Sequence, residues 1–453
     1  MIRRLKVICL ALLVPGLANA ADSTPYSFKV GDALFKIGGF MDFTTVFRTV
    51  NTGNSIGTNF GSIPYRNTVA GNLTETRMSA QNSRLSLKAT DKFGENDVTG
   101  YMEMDFLGND PANAFVTSNS HTARLRLYWL DLMNNKWEML AGQSWSWLTP
   151  NRRGISGTPS DLFITNNVDT NYQVGLTFTR AAQFRVAYHP NDNWAYGVAL
   201  ENPEQFVGTG EVIFPFALNA QLGVQYDASN NSSTPNVFPD VIPKITYDTE
   251  VNDKHFHVEA VGLITTVKDA FILPGSTDFA TRTKTGAGIS LNTVLEVVKN
   301  FRMIATSFYS DGGGRYLEGL GPDTVVLPDG TPSLVHSGGG ILGFEAQVNP
   351  KNTVAAYYGG AYFAQNSFQD TTNPLPTAFA GFGGPNSPNS ANRIIQELTA
   401  DWTHSIWKSP DHGAVQVMTQ LSYLTRTPWF VPQGAPANAH LTMAFVNLRY
   451  VLP

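Results

Sequence analysis

The stretch from Val98 to Phe106 reads Val-Thr-Gly-Tyr-Met-Glu-Met-Asp-Phe and decides the fold class. Every second residue from the first is apolar or glycine, whereas the intervening positions include Glu103 and Asp105. Side chains of a β-strand alternate between its two faces, so this segment has one apolar face and one polar face. Phe35–Thr44 and Arg84–Ala89 show the same alternation. The pattern predicts two-faced strands along the chain.

Comparable segments recur to the end of the sequence, roughly sixteen in all. Strands are predicted at 34–48, 78–90, 97–107, 121–132, 136–146, 172–189, 194–202, 240–248, 254–266, 282–296, 300–310, 337–349, 352–364, 391–406, 412–425 and 438–451. The connections alternate between short turns and long segments, and the long ones are predicted at 49–77, 108–120, 147–171, 203–239, 267–281, 311–336, 365–390 and 426–437. Long loops on one side of the strands and short turns on the other are typical of outer-membrane barrels. Compact soluble domains rarely contain so many long loops.

A closed barrel is the fold that these features favour. In hydrocarbon every backbone polar group must be hydrogen-bonded, so only a closed sheet can span a membrane with strands. We therefore predict a transmembrane antiparallel β-barrel over residues 34–453, with short periplasmic turns and long extracellular loops. Sixteen strands leave an aqueous lumen, and the inner positions carry charges on nearly every strand. The predicted function is passive diffusion of small hydrophilic solutes through a porin.

The N-terminus has the features of a secretory signal peptide. A basic start and an apolar stretch precede the small-residue site Ala18–Ala20, so we expect residues 1–20 to be removed and 21–33 to form a short periplasmic segment. Removing three positive charges and no negative ones lowers Lys+Arg from 31 to 28 against 36 Asp+Glu, so the net charge changes from −5 to −8. An exported acidic chain is a poor nucleic-acid binder. The single Cys9 lies in the removed part, which excludes a disulfide-stapled fold.

The third long connection, 147–171, is expected to fold inward, because an unobstructed lumen of this width would leak. Charged residues of this loop and of the facing wall are the predicted pore constriction: Arg84, Glu103, Asp105, Arg124, Arg126, Arg152, Arg153, Asp161 and Arg185. Opposed acidic and basic walls screen permeants by charge. The arginines predict a preference for anions.

Three alternatives stay open at the constriction. Arg152 and Arg153 would, in a different interpretation, hold the loop or bind surface lipopolysaccharide. Glu103 and Asp105 are able to pair with the arginines and cancel their field. Arg180 breaks the alternation of its own strand, which indicates a bulge, a position at the rim or a subunit contact.

Four phrases resemble the DcaP-like porins of Gram-negative outer membranes: Asn82–Leu87, Leu140–Trp145, Ala199–Glu204 and Pro239–Ile242. The resemblance covers most of residues 34–266. It implies a homotrimer of sixteen-stranded barrels, a third loop folded inward and a preference for small organic anions such as dicarboxylates. The trimer contact would then involve the early strands, and the candidate interface residues are Leu125, Leu127 and Trp129.

Other functions require residues in arrangements that the sequence lacks. An outer-membrane barrel enzyme such as a phospholipase needs a serine, a histidine and a third polar group oriented together, and the eight histidines form no such motif. His255 and His257 share a strand face without an obvious third metal ligand. A transporter with a plug needs more than residues 21–33 to fill its lumen, and a surface β-adhesin needs the apolar face to be a core. We therefore expect no catalysis, metal or cofactor, and outer-membrane lipid and lipopolysaccharide as surroundings.

Overall fold

The computed structural model describes residues 26–108, 121–228, 234–272 and 275–453. The predicted signal peptide, residues 1–20, lies outside the described residues. The strands form a closed antiparallel barrel of sixteen, which confirms the predicted fold class. Their bounds are β1 (Ala33–Arg48), β2 (Glu75–Ser79 and Arg84–Phe93), β3 (Asn96–Asp105), β4 (Arg124–Asn134), β5 (Trp137–Trp145), β6 (Arg180–Tyr188), β7 (Trp194–Glu201), β8 (Asp240–Val251), β9 (Lys254–Ile272), β10 (Phe279–Val298), β11 (Phe301–Asp311), β12 (His336–Asn349), β13 (Asn352–Phe363), β14 (Asn392–Ser409), β15 (Gly413–Pro428) and β16 (Ala439–Val451).

The first and last strands close the barrel. β16 pairs with β1 from Phe40 opposite Val451 to Arg48 opposite Met443. Both segments of β2 pair with the other side of β1, so together they act as one strand interrupted at 80–83. A short strand, Ser27–Val30, forms a hairpin with the beginning of β1.

The two faces of the strands differ in the way that a membrane requires. In β16, Val446 and Leu448 point outward and are 55% and 51% exposed, whereas Phe445 and Asn447 between them point inward and are each 1% exposed. Hydrocarbon tolerates exposed apolar side chains, but charged groups on a lipid-facing strand cost about 2–4 kcal/mol near the midplane. The outer face of the barrel therefore suits lipid.

The long connections carry their own short elements. The connections used below are loop 1 (49–74), loop 3 (146–179), loop 4 (202–239), loop 6 (312–335), loop 7 (364–391) and loop 8 (429–438). Within these loops lie the helices Phe60–Ser62, Ala70–Asn72, Asn219–Leu222 and Gly314–Tyr316 and the strands Val212–Ile213, Thr324–Val326, Pro332–Leu334, Asn366–Gln369 and Phe379–Phe382. None of the helices in the described part of the chain is long and apolar enough to cross a membrane.

The predicted long connection 267–281 is wrong. β9 and β10 continue through it, with Val267 opposite Lys284 and Ile272 opposite Phe279. The physical reason lies in Val267 and Phe271, which are buried against apolar residues of loops 4 and 6 and so extend the two-faced pattern. These two strands therefore project beyond their neighbours.

The predicted strand 172–189 begins only at Arg180. The preceding residues belong to loop 3 and pair instead with loop 6, because the Gly175 amide donates to the Glu318 carbonyl and the Phe178 amide donates to the Tyr316 carbonyl. Tyr172 and Gly175 have positive φ angles of 62° and 84°, which interrupt extended pairing. Two loops thus pack on each other within the barrel.

Two of the predicted trimer-contact residues, Leu127 and Trp129, do not face outward, because β4 contains a β-bulge. Glu103 of β3 pairs with Leu127, and the next residue pairs with Leu125, so Arg126 is the extra residue. A one-residue shift moves every later side chain to the opposite face. Leu127 and Trp129 consequently point inward and are 0% and 6% exposed, while Leu125 remains outward and 49% exposed.

Candidate pore constriction

Loop 3 is anchored to the barrel wall by charged side chains. Arg152 forms a two-pronged ion pair with Glu345 of β12, with nitrogen–oxygen distances of 2.6 and 2.7 Å. The Gly154 amide donates to Asp248 of β8 at 2.9 Å, and the Asn151 amide donates to Glu259 of β9 at 3.2 Å. Charge-assisted hydrogen bonds of this kind are stronger than neutral ones. They fix one half of the loop to β8, β9 and β12.

The other half of loop 3 reaches a different part of the wall. The backbone amides of Val168 and Asp169 both donate to Gln420 of β15, at 2.6 and 2.8 Å. The Asp169 carboxylate accepts the Thr58 amide of loop 1 at 3.1 Å. Burial raises the pKa of the Asp169 carboxyl, and the positive charge of Arg48 offsets only part of this increase. Because β8 and β15 lie on separate arcs of the barrel, the loop crosses the lumen.

Three arginines and two carboxylates meet on the wall that faces the loop. Arg124 holds Asp105 with two hydrogen bonds of 3.0 and 2.8 Å. Arg126 bonds Glu103 at 2.7 Å and Asp105 at 2.8 Å. Arg84 lies 3.8 Å from Glu103 and donates to the Tyr172 hydroxyl at 3.0 Å. Glu103 and Asp105 therefore pair with the arginines, which was one of the alternatives left open by the sequence.

Arg180 joins this group without a counter-charge of its own. Its guanidinium stacks over the Trp145 ring at 5.3 Å, and the Arg126 guanidinium contacts the same ring at 5.4 Å. One terminal nitrogen of Arg180 is buried and has no hydrogen-bond partner among the described residues. Cation–π contact compensates part of the cost of such a charge. Arg180 is thus the fourth member of what we call the basic wall: Arg84, Arg124, Arg126 and Arg180.

The charges of the basic wall do not cancel. Four guanidinium groups face the two carboxylates Glu103 and Asp105, and four minus two leaves a surplus of two positive charges. Three of the four arginines line a cavity of about 340 Å³ on the long-loop side of loop 3, which we call the upper cavity.

The opposite side of the upper cavity is acidic. Arg315 there pairs with Asp323 at 2.8 Å and with Asp240, so two carboxylates share one guanidinium. Glu204 and Glu318 line the same cavity. Burial, with repulsion from Asp169 and Glu397, raises the pKa of Glu318 to about 8, and burial also raises the pKa of Glu204. The cavity therefore lies between a basic wall and a carboxyl side whose Glu318 stays largely protonated at neutral pH.

A second cavity lies on the short-turn side of loop 3. It measures about 370 Å³, and Arg152, Ser160, Arg302 and Glu345 contribute to its polar lining. We call it the lower cavity. Polar cavities therefore flank the loop on both sides.

The remaining predicted constriction residues lie elsewhere. Arg152 is held by Glu345, which favours the alternative that it anchors the loop. Arg153 is exposed, and its backbone amide donates to the Asp161 carbonyl. Arg185 is 1% exposed beneath loop 3, where it packs on Trp147 and lies 3.7 Å from Glu138. Arg185 therefore does not join the basic wall.

The roles of Arg180, Trp145 and Arg315 were not predicted from the sequence. For Arg180 the sequence does show a break in alternation, and this break reflects the beginning of β6 at that residue. Arg315 had no signal, because loop 6 shows no periodic pattern. His255 and His257 both bond Asp248, at 3.0 and 2.9 Å, and in the described ranges no group of three or more metal-ligating side chains is present.

A solved outer-membrane channel has a similar fold. No protein-family model and no curated protein sequence matches the chain. Among solved structures, the chain is similar to the outer membrane channel DcaP of Acinetobacter baumannii, with a TM-score of 0.66 and 17% identity over 94% of this chain and 99% of that chain. An anion-selective porin from Comamonas acidovorans has a TM-score of 0.48 and 12% identity over 93% and 100% of the two chains. OprB of Pseudomonas putida has a TM-score of 0.47 and 10% identity over 92% and 94%. The likeness to DcaP confirms, at the level of the fold, the resemblance that the four sequence phrases indicated.

Proposed function

We propose that this protein is an outer-membrane porin that admits small hydrophilic solutes by passive diffusion. The observation that carries the proposal is the course of loop 3 across the lumen of a closed sixteen-stranded barrel, with polar cavities of about 340 and 370 Å³ on its two sides. Cavities of this size suit solutes of a few non-hydrogen atoms up to a small organic acid. The apolar outer face suits a bilayer.

The finer proposal is a preference for small organic anions of the dicarboxylate kind. The surplus of two positive charges on the basic wall supports it. The raised pKa of Glu318, about 8, supports it further, because a protonated carboxyl opposite the wall does not repel an anion. A dicarboxylate carries two negative charges that guanidinium groups can bind, and the guanidinium of Arg180 is not paired with a carboxylate of the protein.

Export and assembly complete the proposal. We propose that residues 1–20 direct export and that the long loops face the cell exterior, where lipopolysaccharide surrounds them. We also propose a homotrimer, for which the outward side chain of Leu125 remains a contact candidate.

Planar-bilayer recording tests the proposal directly. Purified protein should give discrete conductance steps grouped in threes, and the reversal potential in a salt gradient should have the sign of anion preference. A barrel that serves as an enzyme or an adhesin gives no steps. Cation preference would leave the porin proposal intact and overturn the anion preference.

A further inference from the structure

A further cavity opens among three loops at the long-loop end of the barrel. It measures about 590 Å³ and is formed by loops 1, 7 and 8 together with the end of β15. None of its lining residues lines the upper or the lower cavity. A site here is therefore distinct from the two cavities that flank loop 3, and the proposed orientation of the barrel places it outside the cell.

The lining combines rigid apolar surfaces with neutral polar groups. Proline rings, among them Pro388, Pro428 and Pro432, and the ring of Phe430 supply the apolar surface. Asparagine and glutamine side chains from all three loops supply amides. No Asp, Glu, Lys, Arg or His is among the lining residues. An uncharged ligand with both apolar and hydroxyl-bearing faces matches this chemistry.

Two residues of the lining carry buried hydroxyl groups. Tyr65 and Ser387 are 4% and 6% exposed. Neither the Tyr65 hydroxyl nor the Ser387 hydroxyl has a hydrogen-bond partner within the described residues. Buried polar atoms are nearly always paired in native proteins, and a ligand in the cavity would supply partners to these two hydroxyls once their side chains turn toward it.

Arg426 builds the site by tying its loops together. Its guanidinium donates to the Ile63 carbonyl of loop 1 at 2.7 Å and to the Asn389 carbonyl of loop 7 at 2.6 Å. It also donates to the Asn392 side chain at 3.1 Å and stacks on the Tyr65 ring at 4.5 Å. Proline-rich walls lose little conformational freedom when a ligand binds. The cavity is thus preorganised.

We propose that this cavity binds a neutral carbohydrate of two or three sugar units. A sugar ring presents C–H groups to aromatic and proline surfaces and hydroxyls to amides, Tyr65 and Ser387, and it brings no charge into a lining that has none to offset it. A cavity of about 590 Å³ accommodates a short oligosaccharide. The sugar arrives either as a free saccharide or as part of a surface glycan such as a lipopolysaccharide core.

Saturation-transfer difference NMR on the full-length protein tests the site. The protein is held in a detergent without a sugar headgroup, and maltotriose, lactose and cellobiose serve as neutral probes, with sialyllactose as the charged comparison. We expect saturation transfer to at least one neutral probe and weaker transfer to sialyllactose. The proposal is overturned if no neutral probe receives saturation transfer or if the charged probe binds better than the neutral ones. A proline-rich peptide is included as a further probe, and binding of this peptide without binding of any sugar also overturns the proposal.

Matched variants locate the binding. Tyr65→Phe and Ser387→Ala each remove one hydroxyl and preserve shape, and each should weaken the neutral probe about fivefold, the effect of one hydrogen bond. Tyr423→Phe on the lipid-facing surface and Ser390→Ala beside the cavity are the controls and should bind as the unmodified protein does. Equal affinity in all four variants overturns the proposal.

Two further measurements separate the sources and the functions. Neutral core oligosaccharide, released from lipopolysaccharide and dephosphorylated, is compared with the free saccharides, and the tighter ligand identifies the source. Conductance of Tyr65→Phe should match that of the unmodified protein. Loss of sugar binding with intact conductance therefore reports on this site alone, and absent conductance with intact sugar binding reports on the porin proposal alone.

Discussion

Replacing Arg180 by glutamine should reduce anion selectivity, because this arginine contributes to the surplus charge without holding a carboxylate. Arg84, Arg124 and Arg126 would still neutralise Glu103 and Asp105 with one charge left over, so the surplus would fall from two to one. Glutamine keeps much of the length of the arginine side chain. The change is therefore mainly one of charge.

The size of the effect follows from the dimensions of the upper cavity. A sphere of 340 Å³ has a radius of about 4.3 Å, and van der Waals radii place an ion at its centre about 7 Å from the guanidinium. One unit charge at that distance in water contributes about 0.6 kcal/mol to the energy of an ion in the cavity. This energy raises the occupancy of an anion by a factor of about 2.7 and lowers that of a cation by the same factor. The anion-to-cation permeability ratio should therefore fall about sevenfold at low salt. Screening at 0.1 M reduces this to about threefold.

Reversal potentials in asymmetric KCl, recorded at low and at high ionic strength, measure this ratio. Arg66→Gln removes the same charge from an exposed position in loop 1 and serves as the control. The reasoning fails if Arg180→Gln leaves the reversal potential unchanged or shifts it no more than Arg66→Gln does. It also fails if the shift does not shrink as salt increases.

Three further predictions test other parts of the structure. Arg152→Ala should break the ion pair with Glu345 and loosen the half of loop 3 that this pair helps to fix. Single-channel records should then be noisier, and voltage closure should occur at lower potentials, than in the unmodified channel. Anion selectivity should decrease as pH rises through about 8, because the Glu318 carboxyl is neutral below that pKa and ionises above it. Glu318→Gln should reduce this step in reversal potential between pH 6 and pH 9.5, and an unchanged step would assign it to another group. Gly142→Ala should lower the yield of folded barrel, measured as heat-modifiable migration in gels, because φ is 136° and an added Cβ would clash with the Tyr128 carbonyl oxygen. Normal yield would show that β5 can shift to make room.

The barrel itself was predictable because its determinant is local. A strand with alternating apolar and polar residues, such as Val98–Phe106, has only one arrangement in a bilayer, and the strand count follows from repeating the test along the chain. Alternation in the sequence does not reveal a β-bulge, after which the inward and outward faces of a strand are exchanged. The bulge at Arg126 moved Leu127 and Trp129 inward, and nothing in the identities of these residues marks the extra position.

The constriction was predictable only in part, because ion pairs in a lumen join residues far apart in sequence. Arg152 and Glu345 are separated by 193 positions, and their bond decides that Arg152 anchors the loop. The pairing of Arg124 with Asp105 was a visible alternative, since strands that follow each other in the chain are neighbours in an antiparallel barrel. For residues as far apart in the chain as Arg152 and Glu345, the sequence gives no such indication of contact.

Charge selectivity in such a lumen depends on which charges remain unpaired rather than on how many charges there are. Loop 3 needs ion pairs and charge-assisted bonds to stay in place, and the residues that serve this purpose, Arg152 and Glu345 among them, neutralise one another. The basic wall differs because its two carboxylates are shared among three arginines while Arg180 relies on the Trp145 ring, which stabilises a cation without removing its charge. An aromatic ring in place of a carboxylate therefore leaves a positive charge in the lumen and makes Arg180, rather than the better-bonded Arg124, the residue whose loss should be most cleanly visible as a change in selectivity.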